Sequence, residues 1–398
     1  MRRAWPAERL AAAAIFLLFG LYTGSFSSRL PWIADRLHLT SGTLGLCVGL
    51  MASIGAIGTI PFAARLVHKY GTRLSTAVTI AAVGVTLALP PFAPDVVVLA
   101  LIMLVTGAVG GTCDNALNAQ GVEAERRIGR SMMSGLHGMW SVGVLAGALL
   151  GALAAREGVD PRVQFTVIAA VITAGGVTAT RWLGGGRPLA DDSVEAPRFV
   201  WPRGVLLLIG LVGFASIFVE YAANDWSAVF MRWVLHASQE QAALATAIFA
   251  GSMAIGRLCG DAIVQRTGPG LVVGACGTLG TIGCLLVAFS PGAGAALAGF
   301  LLVGAGVSVV IPLVFAAAGR SGASPALGVA AVATISYGAG LAAPGAMGGI
   351  ADLSSLRVAF GVAAVLALTI AAGARLFGQA PTQAATVTAG EPVRRRSA

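Results

Sequence analysis

The residues best suited to carry chemistry lie where the sequence is otherwise apolar. The stretch 96–111 has no charged side chain, yet Asp114, Asn115, Asn118 and Gln120 follow it directly. A carboxylate inside a bilayer costs about 2.5–3.5 kcal/mol on the mildest scale, and such groups usually face a protein interior or a water-filled path. Asp114 and Asn118, at i and i+4, share one helix face. We predict that this face binds a solute or exchanges protons; the alternative is a polar clasp between helices, worth about 0.6–2 kcal/mol.

A second polar group lies in the apolar stretch 204–231, where Glu220 and Asn224 share a helix face and Asp225 follows. Arg29 stands at a similar depth in the first apolar stretch. Because intramembrane charges usually pair with one another, we expect Arg29 to pair with Glu220 or Asp225 as an outer gate that forms and breaks. A permanent interfacial ion pair is the alternative.

Four further side chains are candidates for binding or gating. His137 could bind a solute or relay protons, although a lone histidine in an apolar helix is more often a satisfied core residue. Tyr337 has a polar tip that suits a sugar-like ligand, and core packing explains it equally well. Arg257 and Asp261, at i and i+4, are expected to clamp the inner end of their helix and to belong to a gate.

The composition indicates a membrane protein. Of 398 residues, 57% are hydrophobic and 11% are charged, against about 25% charged in soluble domains. The net charge of +9 fits basic loops that orient a membrane protein, and the lack of a basic patch interleaved with aromatic residues argues against nucleic-acid binding. The five cysteines have no metal-ligand spacing, and HExxH, GxSxG and Walker motifs are missing from the sequence. We therefore expect neither an enzyme nor a cofactor or metal site.

Twelve apolar runs are long enough to cross a bilayer, which takes about 20 residues each. They are 10–31, 42–64, 74–92, 96–120, 131–155, 162–183, 204–231, 241–263, 270–290, 293–318, 325–350 and 356–377. A polar break at 184–203 predicts an N-terminal six-helix bundle (1–183), a cytoplasmic linker (184–203) and a C-terminal six-helix bundle (204–377), with a disordered cytoplasmic tail (378–398). Most of the 26 Lys and Arg residues fall on the side of the N-terminus, which predicts that both termini are cytoplasmic.

The loops after spans 2 and 8 carry related motifs. The segment 65–73 reads RLVHKYGTR, and 256–268 reads GRLCGDAIVQRTG, each with a basic residue two positions before the loop glycine. With twelve spans divided six and six, the chain resembles the major facilitator superfamily. That signature usually has an aspartate three residues before the glycine, where this chain has His68 and Gln265, and we expect Asp261 to substitute.

Four segments resemble the fucose-permease-like branch of that superfamily and are closest to YbjJ-type bacterial inner-membrane transporters. They are 114–127, 131–138, 224–228 and 312–320. In fucose permease an acidic residue in span 4 is followed four positions later by asparagine, as Asn118 follows Asp114 here. The acidic residue of its span 1 corresponds to Ser27.

The resemblance implies an all-α polytopic protein of the bacterial inner membrane, with twelve transmembrane helices in two six-helix bundles. It also implies a monomeric secondary transporter that moves a small polar solute by alternating access, coupled to protons. The alternatives are a drug or metabolite efflux pump of the same fold and a non-transporting membrane sensor. The solute and the direction of transport stay open at this point.

Overall fold

The structure, a computed structural model, describes residues 4–53, 60–129, 132–185, 202–321 and 325–378. Helices account for all of the regular structure within these ranges. The first half contains α1 (Ala4–Arg36), α2 (Ser41–Ser53), α3 (Ile60–Tyr70), α4 (Thr72–Leu87), α5 (Val96–Ile128), α6 (Met133–Arg156) and α7 (Pro161–Ala179). The second half contains α8 (Val205–Trp233), α9 (Gln239–Thr267), α10 (Pro269–Ala288), α11 (Ala293–Val307), α12 (Val310–Ser321), α13 (Pro325–Leu353) and α14 (Leu356–Ala372). Short 3-10 turns occupy Pro90–Phe92, Thr180–Trp182 and Gly373–Phe377.

The predicted all-α membrane fold is confirmed. Within the described ranges, eleven helices are long and apolar enough to cross a membrane, with α11 and α12 together forming one of them, Ala293–Ser321. The second predicted span appears as two shorter helices, α2 and α3, on either side of residues 54–59. Most of the predicted linker (186–201) and nearly all of the predicted tail (379–398) lie outside the described residues.

Four helix pairs bring the halves of the chain together: α2 with α13, α6 with α9, and α1 with both α9 and α8. "Inner" denotes the side on which α1 begins, and "outer" the side on which it ends. The outer part of α2 packs on the last turns of α13, and α1 packs on α8. Glycines make the first contact close, since Gly45 faces the backbone of Gly348 and Gly348 faces the backbone of Ser41.

Glycines also set the packing of α1 on α6. Gly20 and Gly24 lie four residues apart on α1, and Gly143 and Gly147 do so on α6. A Cβ atom at Gly24 would meet the Val144 carbonyl, and one at Gly143 would meet the Leu17 carbonyl, so the two backbones touch. Lipid tails are as apolar as leucine, so membrane helices associate through such close packing of small residues.

We expect Gly143→Ala to destabilise the protein, because the added methyl group would force α1 and α6 apart. Gly135→Ala on the same helix is the matched control, since a Cβ atom there meets nothing within 4 Å. Alanine is favoured over glycine in helices by about 0.5–1 kcal/mol, so the control should be neutral or slightly stabilising. Thermal unfolding of the purified protein in detergent measures both. Equal melting temperatures for the two variants would contradict the packing argument.

Candidate functional site

The outer ends of the two halves are joined by polar bonds. Asp35, near the end of α1, accepts hydrogen bonds from Arg232 Nε at 3.0 Å and from Trp233 Nε1 at 2.7 Å, both at the end of α8. Thr40, just before α2, donates to Asp352 at the end of α13 at 2.9 Å. Two of the helix pairs that join the halves, α1 with α8 and α2 with α13, are therefore closed at the outer side.

The pair expected between Arg29 and Glu220 or Asp225 is not formed, and that prediction is wrong for this conformation. Arg29 Nη2 donates instead to the Val159 carbonyl, in the loop between α6 and α7, at 3.0 Å. The expected pair rests on the similar depth of the residues in the membrane. The partner that a charged side chain reaches also depends on the face of the helix that carries it. Arg29 faces its own half of the protein, while Asp35, further along α1, faces α8.

At the inner side α6 and α9 pack on each other, with Gly138 facing Leu258, whereas the described residues of α3 and α12 lack such packing on the opposite half. Here α3 packs on α4 and α5, and α12 packs mainly on α8 and α13. Side chains at the centre of the molecule accordingly remain exposed, among them Asp114, His137, Tyr221 and Tyr337. These exposed polar side chains lie between the two halves, in a space that we call the central cavity, and the bonds described above close it at the outer side.

Asp114 lies near the middle of α5, where its side chain is exposed. Its charge acts on the phenols of Tyr221 in α8 and Tyr337 in α13. Asn118 lies beside the carboxylate, and its Nδ2 donates to the Asp114 backbone carbonyl at 2.9 Å. The structure therefore brings together three of the expected features: Asp114, Asn118 and Tyr337. Tyr221 joins them as a residue that the spacing did not single out, because an aromatic residue beside Glu220 gives no separate signal.

Arg257 in α9 connects several helices at the centre of the molecule. Its Nη2 pairs with Glu220 in α8 at 3.2 Å, and its Nη1 donates to Ser141 Oγ in α6 at 3.0 Å. Its Nε donates to the Ser308 carbonyl at 3.4 Å, and its guanidinium lies 5.8 Å from the centre of the Trp140 ring. Ser308 is part of the break between α11 and α12, and transporter solute sites are commonly built where membrane helices are interrupted.

The expected clamp between Arg257 and Asp261 is not formed, and that prediction is also wrong. Glu220 is only 16% exposed, so its charge needs a partner more than that of Asp261, which is exposed near the inner end of α9. Asp261 instead lines a cavity of about 240 Å³ beside Gln265 and Pro312. The loop role expected for Asp261 stays a prediction.

His137 and Asn224 complete the central group from the two halves. His137 lies edge-on to Phe16, 5.5 Å between ring centres, and within electrostatic range of Arg257. Asn224 Nδ2 donates to Ser27 Oγ in α1 at 3.1 Å and to Asp225 Oδ1 at 2.8 Å. The Asn224–Ser27 bond crosses from one half to the other, so Asn224 and Asp225 belong to the closed outer part of the cavity.

A bundle of membrane-spanning helices whose halves are joined at the outer side, with polar side chains exposed between them, is the arrangement expected of a solute transporter. The Major Facilitator Superfamily model matches residues 10–344, and the chain belongs to that superfamily. It is thus a multi-pass secondary transporter of the inner membrane, as the sequence predicted.

Individual relatives agree with this assignment. An uncharacterised MFS-type transporter of Yersinia pestis is 36% identical over 373 residues, which cover 92% of this chain and 95% of the relative. The nucleoside transporter NupG, in a single-site mutant form, superimposes with a TM-score of 0.75 at 12% identity, covering 93% of this chain and 99% of NupG. The Escherichia coli fucose:proton symporter FucP, also a single-site mutant, gives a TM-score of 0.61 at 15% identity, covering 95% of this chain and 100% of FucP. At these identities the two structures establish the shared fold.

We expect Asp35→Ala to weaken the outer closure. The variant loses a part-exposed ion pair and the bond from Trp233, together worth about 1–2 kcal/mol, which corresponds to about fivefold to thirtyfold more open molecules. In a background without native cysteines, Ser27→Cys reports the opening, because Ser27 is buried. Its labelling by a membrane-impermeant thiol reagent from the outer side should accelerate by that factor.

Glu157→Ala serves as the control for this measurement. It removes an exposed carboxylate of the same half, paired with Arg156 at 3.8 Å, which has no part in the closure. Labelling of the introduced cysteine should keep its original rate in that variant. An unchanged rate in Asp35→Ala would show that the Asp35 contacts do not hold the outer side closed.

Proposed function

We propose that this protein is a proton-coupled symporter of a small, hydroxyl-bearing solute such as a sugar or a nucleoside. Within the superfamily we place it in the fucose-permease-like branch, near the YbjJ-type transporters. The observation that carries the proposal is the Asp114 carboxylate, exposed near the middle of α5 and within electrostatic range of Tyr221 and Tyr337 of the opposite half. An intramembrane carboxylate facing a cavity is the usual means by which transporters take up and release a proton.

The surroundings of Asp114 suit a neutral polar ring. Tyr221 and Tyr337, and also Trp140 beside Arg257, offer flat faces with polar tips, and Asn118 adds an amide next to Asp114. Such aromatic residues bind through an apolar body and a hydrogen-bonding end. The charges of Arg257 and Glu220 neutralise each other. Among the described residues, Arg257 is therefore not a free cation that would favour an anionic solute. NupG transports nucleosides and FucP transports fucose with protons, and the same solute class is proposed for this chain.

Alternating access follows from the uneven distribution of contacts. The outer side is held by Asp35 with Arg232 and Trp233, by Thr40 with Asp352, and by Asn224 with Ser27. We propose that Asn224 and Asp225 serve as gate residues, separating from Ser27 when the outer side opens. Arg257, which already contacts both halves, would remain near the axis of the motion.

The proposed arrangement in the membrane is a monomer of two six-helix bundles, 1–183 and 204–377, with the N- and C-termini in the cytoplasm. The inner ends of the first bundle support this orientation. Arg127 at the end of α5 pairs with Glu8 at 2.8 Å and donates to the Gly184 carbonyl at 3.1 Å, so basic residues and the start of the linker meet on that side. Basic residues are concentrated in cytoplasmic loops.

We expect Asp114→Asn to abolish proton-driven accumulation while leaving solute exchange intact. A gradient of one pH unit supplies about 1.4 kcal/mol per proton, enough for about tenfold accumulation, and a transporter that binds no proton cannot use it. A panel of neutral sugars and nucleosides is first screened by thermal stabilisation of the purified protein. The best stabiliser is then followed in proteoliposomes, with an imposed pH gradient for accumulation and with preloaded solute for exchange.

Asp95→Asn is the matched control, the same chemical change on the same helix. Asp95 caps α5 by accepting from Val98 N at 2.9 Å, and asparagine caps a helix equally well. The control should accumulate solute as the unmodified protein does. Full accumulation by Asp114→Asn would refute the proposed proton site, and failure of every panel member to stabilise the protein would refute the proposed solute class. Release driven by an inward pH gradient would indicate an exporter instead.

A further inference from the structure

Three arginines converge at the outer end of the first half. Arg36, the last residue of α1, donates through Nη2 to the Ala93 carbonyl, and Arg162, at the start of α7, donates through Nε to the Pro91 carbonyl at 3.3 Å. The same short turn thus anchors both guanidinium groups, and the charges of Arg36 and Arg162 act on each other. Arg29 lies beneath them, 2% exposed, with its Nε and Nη1 unpartnered.

The local negative charge does not balance these cations. Asp160 acts on both Arg29 and Arg36, and its Oδ1 also accepts from the backbone N–H of Arg162. The other nearby carboxylates are engaged elsewhere, since Asp35 binds Arg232 and Trp233 and Asp95 caps α5. Among the described residues, three arginines therefore share one carboxylate.

The surface around the two outermost arginines is suited to the boundary of a bilayer. Arg36 lies over the Trp32 ring at 5.6 Å and Arg162 over the Phe92 ring at 5.8 Å. Phe92 is 55% exposed, and an exposed apolar stripe of Val163, Val167 and Val171 continues from Arg162 along α7. Aromatic residues concentrate at the level of lipid headgroups, with apolar side chains facing the acyl chains next to them.

The second half contains a reduced version of the same construction. Arg357, at the start of α14, donates to the Ala288 and Ser290 carbonyls at 2.9 Å and lies 5.8 Å from the Phe230 ring. It thus matches Arg162 at the start of α7 in position and in its bonds to a turn. Phe230 is fully buried, whereas Phe92 is exposed, so this arginine is tied into the fold and has no exposed aromatic partner.

We propose that Arg36 and Arg162 bind the phosphate of an anionic phospholipid, with Phe92 and the valine stripe of α7 packing against its glycerol and acyl chains. A phosphate accepts several charge-assisted hydrogen bonds from guanidinium groups and would balance the excess positive charge. A free phosphate shares this chemistry, but it would leave the aromatic and apolar part of the site unoccupied.

The test compares dioleoyl phosphatidylglycerol with dioleoyl phosphatidylcholine and with inorganic phosphate. Lipid binding to the purified transporter is measured by native mass spectrometry, and stabilisation by thermal unfolding in mixed micelles. The variants are Arg36→Gln/Arg162→Gln, Arg162→Gln alone and the control Arg357→Gln. Each basic residue near a membrane surface contributes about 1 kcal/mol, so the double variant should bind phosphatidylglycerol about thirtyfold more weakly than the control.

The expected result is preferential binding of phosphatidylglycerol by the unmodified protein and by Arg357→Gln, with loss in the double variant and partial loss in Arg162→Gln. Arg162→Lys keeps the charge and should restore part of the preference. If the double variant does not fold, Arg162→Gln and Arg162→Lys decide the matter. Equal preference in all variants, or equal stabilisation by phosphatidylcholine, would overturn the proposal. Equal stabilisation by inorganic phosphate would overturn the assignment to a lipid.

Discussion

The ion pair between Arg257 and Glu220 is the interaction on which the centre of the molecule depends. A buried or half-buried charge without a partner costs several kcal/mol, and removing one member of such a pair is far more harmful than never having had the pair. Arg257 uses its remaining donors on Ser141 in α6 and on the carbonyl exposed by the break between α11 and α12. The Arg257 guanidinium therefore holds α8 next to α9. It also donates to a carbonyl that the break between α11 and α12 leaves without a helical partner, and it contacts α6 of the opposite half. Because one side chain makes all of these contacts, Arg257 holds the helices around the centre in fixed relative positions.

Glycine packing provides the rigidity that the cavity needs on its first-half side. The backbones of α1 and α6 touch at Gly24 and Gly143, so α6 is held at a fixed position along α1. Trp140 and Ser141 of α6 therefore contact Arg257 at a defined depth in the membrane. Tightly packed elements move as units rather than deforming continuously, so motion between the halves concentrates in the contacts that join them. At the outer side those contacts combine the glycine packing of α2 on α13 with a small set of polar bonds, which is an arrangement that lets two rigid units rock against each other.

The sequence predicts the membrane fold well and the partners of charged residues poorly. Helix number and placement follow from long apolar runs, since the bilayer imposes both length and composition on every span. A single charged residue within an apolar run, such as Asp114, is recognisable in the sequence. Placing its charge in the bilayer is so unfavourable that it usually faces a protein interior or a water-filled path. The partner of Arg29 could not be read in the same way, because partners depend on helix rotation as well as depth. The ion pair between Asp35 and Arg232 was not predicted from the sequence. Both residues lie just beyond the outer ends of spans 1 and 7, where a charged side chain gives no strong signal.

The energies of the outer contacts fit a transporter that a bound solute can switch. Each net hydrogen bond contributes about 0.5–1.5 kcal/mol, or about 1.5–3 kcal/mol where a charged group takes part. Moving a two-state equilibrium from 1:99 to 99:1 takes about 5.5 kcal/mol of differential binding. The bonds of Asp35, Thr40 and Asn224 are partly exposed and together contribute a few kcal/mol, so differential binding of that size is enough to open the outer side. A solute that engages Tyr221 and Tyr337 together with Asp114 contacts both halves at once, and its differential affinity for the two states is therefore able to reverse the balance.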